Sequence, residues 1–267
     1  SANAGGDVLE RLAELSAHFS SMIAANPHLS ASLPNPAEPI GDTDHLRRMR
    51  EAANSSKDLG SRLSAMRRTW SSQLLEIVVR DAYGTIEIGE VKRLQTSLAE
   101  ASLAAALDIV RDELAARYHV STDLSMAVLA LGKLGGKGLD YNSDLDLILV
   151  YDDSKSLPGG VSQLEYYSRA SEILVNAVSS MTRDGSLYRI DLRLRPYGSK
   201  GASAMAAGVF LEYMTETAAI WEMLAFVKLR AVGGDVPLGH RLETETRSVI
   251  HERASQLPIE ELRTETR

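Results

Sequence analysis

Apolar residues recur at helical spacing through the first ~120 residues. Val8, Leu9, Leu12, Leu15, Phe19, Met22 and Ile23 form one stripe that should end near Pro27, and the segment holding Pro34, Pro36 and Pro39 reads as a loop. A denser stripe, Leu59, Leu63, Met66, Trp70, Leu74, Ile77 and Val78, stops before Gly84. Beyond it Val91, Leu94, Leu98, Leu103, Leu107, Val110 and Leu114 predict a long, alanine-rich helix. Near Met126 the period changes: Met126 to Leu131 and Leu145 to Tyr151 are short apolar runs of the kind that form buried strands. Ser162-Gln163-Leu164-Glu165 is a capping box opening a helix to about Met181. Asp184-Gly185 then signals a turn into Tyr188–Pro196, which alternates strictly and predicts a strand. Helical segments follow around Phe210 to Met214, Trp221 to Ala231, with Trp221 as a core anchor, and His240 to Ala254. The pattern predicts a helical region over 1–120 and an α+β domain with a small mixed sheet over 121–267.

Candidate chemistry lies where the strands begin. Asp144 and Asp146 stand two apart at the head of an apolar strand, so both carboxylates project to one face while Leu145 and Leu147 face the other way. Two such carboxylates repel, and a cation relieves the repulsion. The Tyr188–Pro196 segment places Arg189, Asp191, Arg193 and Arg195 on one face. If this strand lies beside the first, three carboxylates meet a fork of guanidinium groups. Hard oxygen ligands suit Mg²⁺, which bridges to phosphates, and arginine matches phosphate oxygens bidentately. The combination reads as a nucleotidyl-transfer site, with Asp144, Asp146 and Asp191 as metal ligands and catalytic acids. Candidate triphosphate contacts are Lys133, Lys137, Arg193 and Arg195, the hydroxyl of Ser143, and the backbone N–H groups of Gly135 and Gly136.

Composition narrows the alternatives. At 267 residues, 44% hydrophobic and 24% charged, the chain can bury a sizeable core and carries no disorder signature. Zero cysteines exclude disulfides, thiolate zinc sites and a thiol nucleophile, and the six histidines are scattered without metal-ligand spacing. A net charge of −7 argues against an extended nucleic-acid footprint, while basic residues still gather around the proposed site. No apolar run approaches a membrane span, and the opening residues lack a signal pattern, so a cytoplasmic location is expected.

The run Leu131-Gly132-Lys133-Leu134-Gly135-Gly136-Lys137, then Ser143-Asp144-Leu145-Asp146-Leu147, then Tyr188 to Pro196, resembles the glutamine synthetase adenylyltransferase family. Trp221-Glu222, Lys228-Leu229-Arg230-Ala231 and Gly233-Gly234-Asp235 extend the resemblance to Asp235. It implies a DNA-polymerase-β-like nucleotidyltransferase fold, ATP as substrate and glutamine synthetase as the protein that receives AMP on a tyrosine. It also implies a nitrogen-signalling regulatory protein as partner, and Lys228 and Arg230 as further site residues. The family's enzymes carry two such domains, one attaching AMP and the other removing it by phosphorolysis. Here a single Asp-x-Asp unit is present, and Gly138 stands where the family usually has glutamate. The chain is therefore expected to correspond to one half of such an enzyme or to a shorter relative, of either direction. A nucleotide-sensing module of the same fold is the non-enzymatic alternative.

Overall fold

The computed structural model describes residues 2–40, 43–119 and 123–256; the domain boundary expected at 120–121 and residues 257–267 lie outside these. The first apolar stripe is divided among three helices, α1 (Ala2–Leu15), α2 (Ala17–Ala25) and α3 (Pro27–Ala31). Extended backbone at Ser16 makes the first break. Pro27 opens α3 at the position where a missing N–H costs nothing. Val8, Leu12, Phe19 and Ile23 are buried, whereas Leu9 and Leu15 are exposed. Helix α4 (His45–Ala53) was not expected, because its few apolar residues sit among arginines. Asp44 caps it by accepting from the Arg47 N–H at 3.0 Å, and Met49, Ala52 and Ala53 bury its narrow apolar face.

Helices α5 (Leu59–Ala82) and α6 (Ile88–Tyr118) follow the expected stripes, with the turn at Gly84 in the left-handed region. All seven apolar positions anticipated on α6 are buried. Its buried alanines Ala99, Ala101, Ala105 and Ala106 leave room for close neighbours, and the helix packs against α4, α5 and α8 (Gln163–Ser179). Ser162 caps α8 as expected, accepting from the Glu165 N–H.

The sheet comprises β1 (Met126–Ala130), β2 (Leu145–Tyr151), β3 (Ile190–Asp191), β4 (Met205–Ala206) and β5 (Arg230–Gly234), in the order β3-β2-β1-β5 with β4 also on β2. β1 runs antiparallel to β2 and β5, and β2 runs parallel to β3 and β4, so the sheet is mixed. Alternation divides its side chains between two apolar clusters. Met126, Val128, Leu145, Leu147 and Leu149 join the core of the N-terminal helices. Ala127, Leu129, Ile148 and Val150 pack with α9 (Ala207–Glu212), α10 (Ile220–Phe226) and α11 (Val236–Gln256). One core therefore runs from Val8 across residue 120 to the sheet.

Three expectations need correction. The strand expected over Tyr188–Pro196 pairs only at Ile190–Asp191, because the Asp191 carboxylate accepts from the Arg193 N–H at 2.8 Å and turns the chain. The helix expected over Trp221–Ala231 ends at Phe226, and Arg230–Gly234 is an extra strand on β1. Trp221 is 51% exposed and anchors no core.

Candidate active site

The acid face is set by strand register. Leu145 and Leu147 are drawn into the core, which turns Asp146 to the opposite face. Asp146 lies directly beside Asp191 in the parallel β2–β3 pair, and side chains of directly paired residues in adjacent strands share a face. Asp144 precedes β2 on the same alternation. Gly132, which opens the short helix after β1 and has φ of 55°, lies so close to Asp146 that a Cβ there would meet its carboxylate. The left-handed backbone favours glycine, and the missing Cβ leaves the Asp146 carboxylate its place. Sequence reading placed Gly132 in a glycine-rich run without recognising this role.

Two of the acids have arginine partners. Arg189 Nε donates to Asp144 Oδ1 at 2.6 Å. Arg193 folds back on Asp191, with Nη2 at 2.5 Å and Nε at 2.9–3.0 Å from its oxygens. These hydrogen bonds hold the Asp191 carboxyl below the usual carboxylate range. Asp146 moves the other way. Partial burial raises its pKa, the charges of Asp191 and Asp144 add to the rise, and Arg193 offsets part of it. Among the described residues no three acidic or histidine side chains are gathered closely enough to hold a metal ion together. The donor set nevertheless suits a hard cation, since Asp144 and Asp191 both act on Asp146 and destabilise it as an anion.

The remaining candidates divide. Lys133 reaches Asp140 at 2.8 Å and stands 3.5 Å from Ser143 Oγ, at the rim of the acid face. Lys137 is exposed on left-handed backbone. The N–H groups of Gly135 and Gly136 donate to Leu131 and Gly132 carbonyls within α7 (Gly132–Gly135), so in this conformation neither is available to phosphate. A Cβ on Gly135 would strike the carbonyls of Ala130 and Lys228, which makes it a packing glycine. Arg195 is held by the Leu192 and Gly201 carbonyls and shapes the loop. Arg230 ties the Leu134 and Gly135 carbonyls to Glu100, bracing α7 from β5. Lys228 is exposed, and its side chain lies alongside Gly136. The alternation named Arg189, yet nothing in it distinguished the partner of Asp144 from its neighbours.

Comparison with known proteins gives a consistent result. The glutamate-ammonia ligase adenylyltransferase family matches residues 7–245. The bifunctional glutamine synthetase adenylyltransferase/adenylyl-removing enzyme of Mesorhizobium japonicum is 34% identical over 240 residues, 87% of this chain and 24% of the relative. That of Methylococcus capsulatus is 35% identical over 184 residues, covering 66% and 19%. That of Agrobacterium fabrum is 34% identical over 236 residues, covering 85% and 23%. The chain thus spans about a quarter or less of the length of these relatives.

Proposed function

Because the chain belongs to the glutamate-ammonia ligase adenylyltransferase family, we propose that its acid face transfers AMP from ATP to a protein hydroxyl, a tyrosine of glutamine synthetase. The supporting observation is the parallel register of Asp146 and Asp191 with Asp144 at the head of the same strand. The mixed sheet and the short helix after β1 support a DNA-polymerase-β-like nucleotidyltransferase fold. Asp144, Asp146 and Asp191 would hold Mg²⁺, which when bound neutralises charge on the phosphate and on the attacking and leaving oxygens. Lys133, Lys137 and Lys228 surround the triphosphate end. Arg189 and Arg193 have mostly exposed side chains. Once their carboxylates are otherwise neutralised, both are free to turn to phosphate oxygens, where a planar guanidinium binds bidentately. Ser143 is positioned to donate a hydrogen bond to the same phosphates.

The same groups serve phosphorolytic removal of AMP, in which phosphate attacks the adenylylated tyrosine. Mass spectrometry separates the two directions. Glutamine synthetase incubated with the chain, Mg²⁺ and ATP should gain AMP, or its adenylylated form should lose AMP when phosphate replaces ATP. Asp146→Asn should abolish either reaction and, without metal, melt at or above the parent's Tm, since the amide relieves like-charge repulsion. Turnover retained in Asp146→Asn overturns the proposal, as does no change in either arm.

A further inference from the structure

A cleft of about 560 Å³ opens beside the acid face. Ser143 and Arg189, the neighbour and the partner of Asp144, lie on its lining, so it is continuous with the reaction site. Its walls are aromatic. Phe19 meets Tyr141 edge to face at 5.3 Å between ring centres, and Trp70 meets Tyr188 at 5.4 Å. Gln95 of α6 also lines the cleft. It is only 5% exposed, and among the described residues its side-chain amide has no hydrogen-bond partner. An amide that faces a cleft and makes no hydrogen bond within the protein keeps its donor and acceptor available to a ligand held there.

A cleft of this size, with aromatic walls and a buried glutamine amide among its polar groups, suits a flat heterocycle with a matching polar edge. Glutamine presents an N–H donor and a carbonyl acceptor side by side, the pattern that reads adenine at its amino group and adjacent ring nitrogen. A phenol ring of an acceptor tyrosine would fill the apolar walls but leave the Gln95 amide half-satisfied. We propose that this cleft seats the adenine base of the nucleotide, with Gln95 as the residue that selects it. The assignment rests on the nucleotidyl-transfer reading above, and places the base inside the cleft and the polyphosphate at its rim, where Ser143 and Lys133 stand.

Calorimetry on the 267-residue chain with Mg²⁺ tests this, using adenosine, ATP, GTP, inorganic tripolyphosphate and N-acetyltyrosinamide as probes. Gln95→Met keeps the volume and removes the amide. It should weaken adenosine and ATP about tenfold, the scale of one bidentate amide–base pair, narrow the preference for ATP over GTP, and leave tripolyphosphate within twofold. The chain has two tryptophans. In a Trp221→Phe background, Trp70 emission should therefore respond to adenosine and not to tripolyphosphate, a readout that leaves the cleft unaltered. Tripolyphosphate binding without adenosine binding overturns the base seat and leaves the nucleotidyl-transfer reading intact. Binding of neither tripolyphosphate nor ATP overturns both. Adenosine binding that ignores Gln95→Met and leaves Trp70 unmoved, or N-acetyltyrosinamide binding in its place, overturns the seat alone.

Discussion

Arginine does opposite work in two regions of this molecule. In the helical region Arg62, Arg67 and Arg80 are at most 6% exposed and hold backbone. Arg80 donates to the carbonyls of Glu38, Pro39 and Glu76, and Arg62 bonds the Ala53 carbonyl and Asp112. At the acid face Arg189 and Arg193 have side chains 76% and 81% exposed, and each pairs with a carboxylate. A buried guanidinium surrounded by carbonyls cannot leave without orphaning several polar groups. An exposed one can, because exchanging a surface ion pair for water changes stability by only about 0–1 kcal/mol. The contrast separates a rigid platform from a movable set of counterions.

Arg67 offers the strongest test of the first half. Its Nε donates to the Gly185 carbonyl at 2.9 Å, and Nη2 donates to the Ser180 carbonyl and hydroxyl at 2.8 and 2.9 Å. It therefore fastens α5 to the C-terminal end of α8, where carbonyls lack helix partners and a positive charge is favourable. The same bonds fix the turn that leads into Asp191. Arg67→Met should cost about 3 kcal/mol, the scale for removing one partner of a buried, charge-assisted network. Urea denaturation measures it. A loss under about 1 kcal/mol, the surface-pair range, would erase the distinction between the two arginine sets.

Replacing Arg189 and Arg193 together with alanine should be mild for stability, within about 1 kcal/mol. The informative effect lies in ligand binding. With the competing guanidinium groups gone, Mg²⁺ alone should bind several-fold more tightly to the three acids, by an ordinary competition argument. ATP with Mg²⁺ should bind more weakly, having lost two phosphate partners. Metal affinity that falls in the double variant would mean the arginines position the acids rather than substitute for a cation.

Much of this contrast was hidden in the sequence. Alternation over Tyr188–Pro196 put Asp191 on a face with arginines, and it is the β2–β3 register, invisible in the sequence, that sets it beside Asp146. Alternation failed on strand length, since an aspartate that accepts a hydrogen bond two residues on ends a strand without changing its apolar pattern. β5 escaped because Arg230 to Gly234 contains two glycines, is largely half-exposed and shows no alternation. Arg62, Arg67 and Arg80 were unreadable for a different reason. An arginine on a helix is usually exposed, and only the carbonyls brought from distant segments make burial tolerable. Gly135 and Gly136 were recognised as special, but for phosphate rather than for the close packing that Gly135 serves.

The smallest expected effect concerns His45, another buried cation-former in the platform. It is 3% exposed, its Nδ1 lies 2.6 Å from Gln73 Oε1, and its Nε2 has no partner among the described residues. Burial pushes its pKa down, with the Gln73 hydrogen bond opposing that shift. The folded protein therefore keeps His45 neutral at a pH where the unfolded chain, titrating near 6.5, already binds a proton. Protons then favour unfolding. Above about pH 7 the residue contributes nothing, and stability is lost as pH falls below about 6.5 toward the lowered folded value, by at most ~1.4 kcal/mol per pH unit. Asparagine can also donate to Gln73 and does not titrate. His45→Asn should consequently lose less stability than the parent between pH 7.5 and 5.5, compared through urea midpoints at the two pH values. Equal losses in both proteins would move the acid sensitivity away from the helical platform and toward the carboxylates of the acid face.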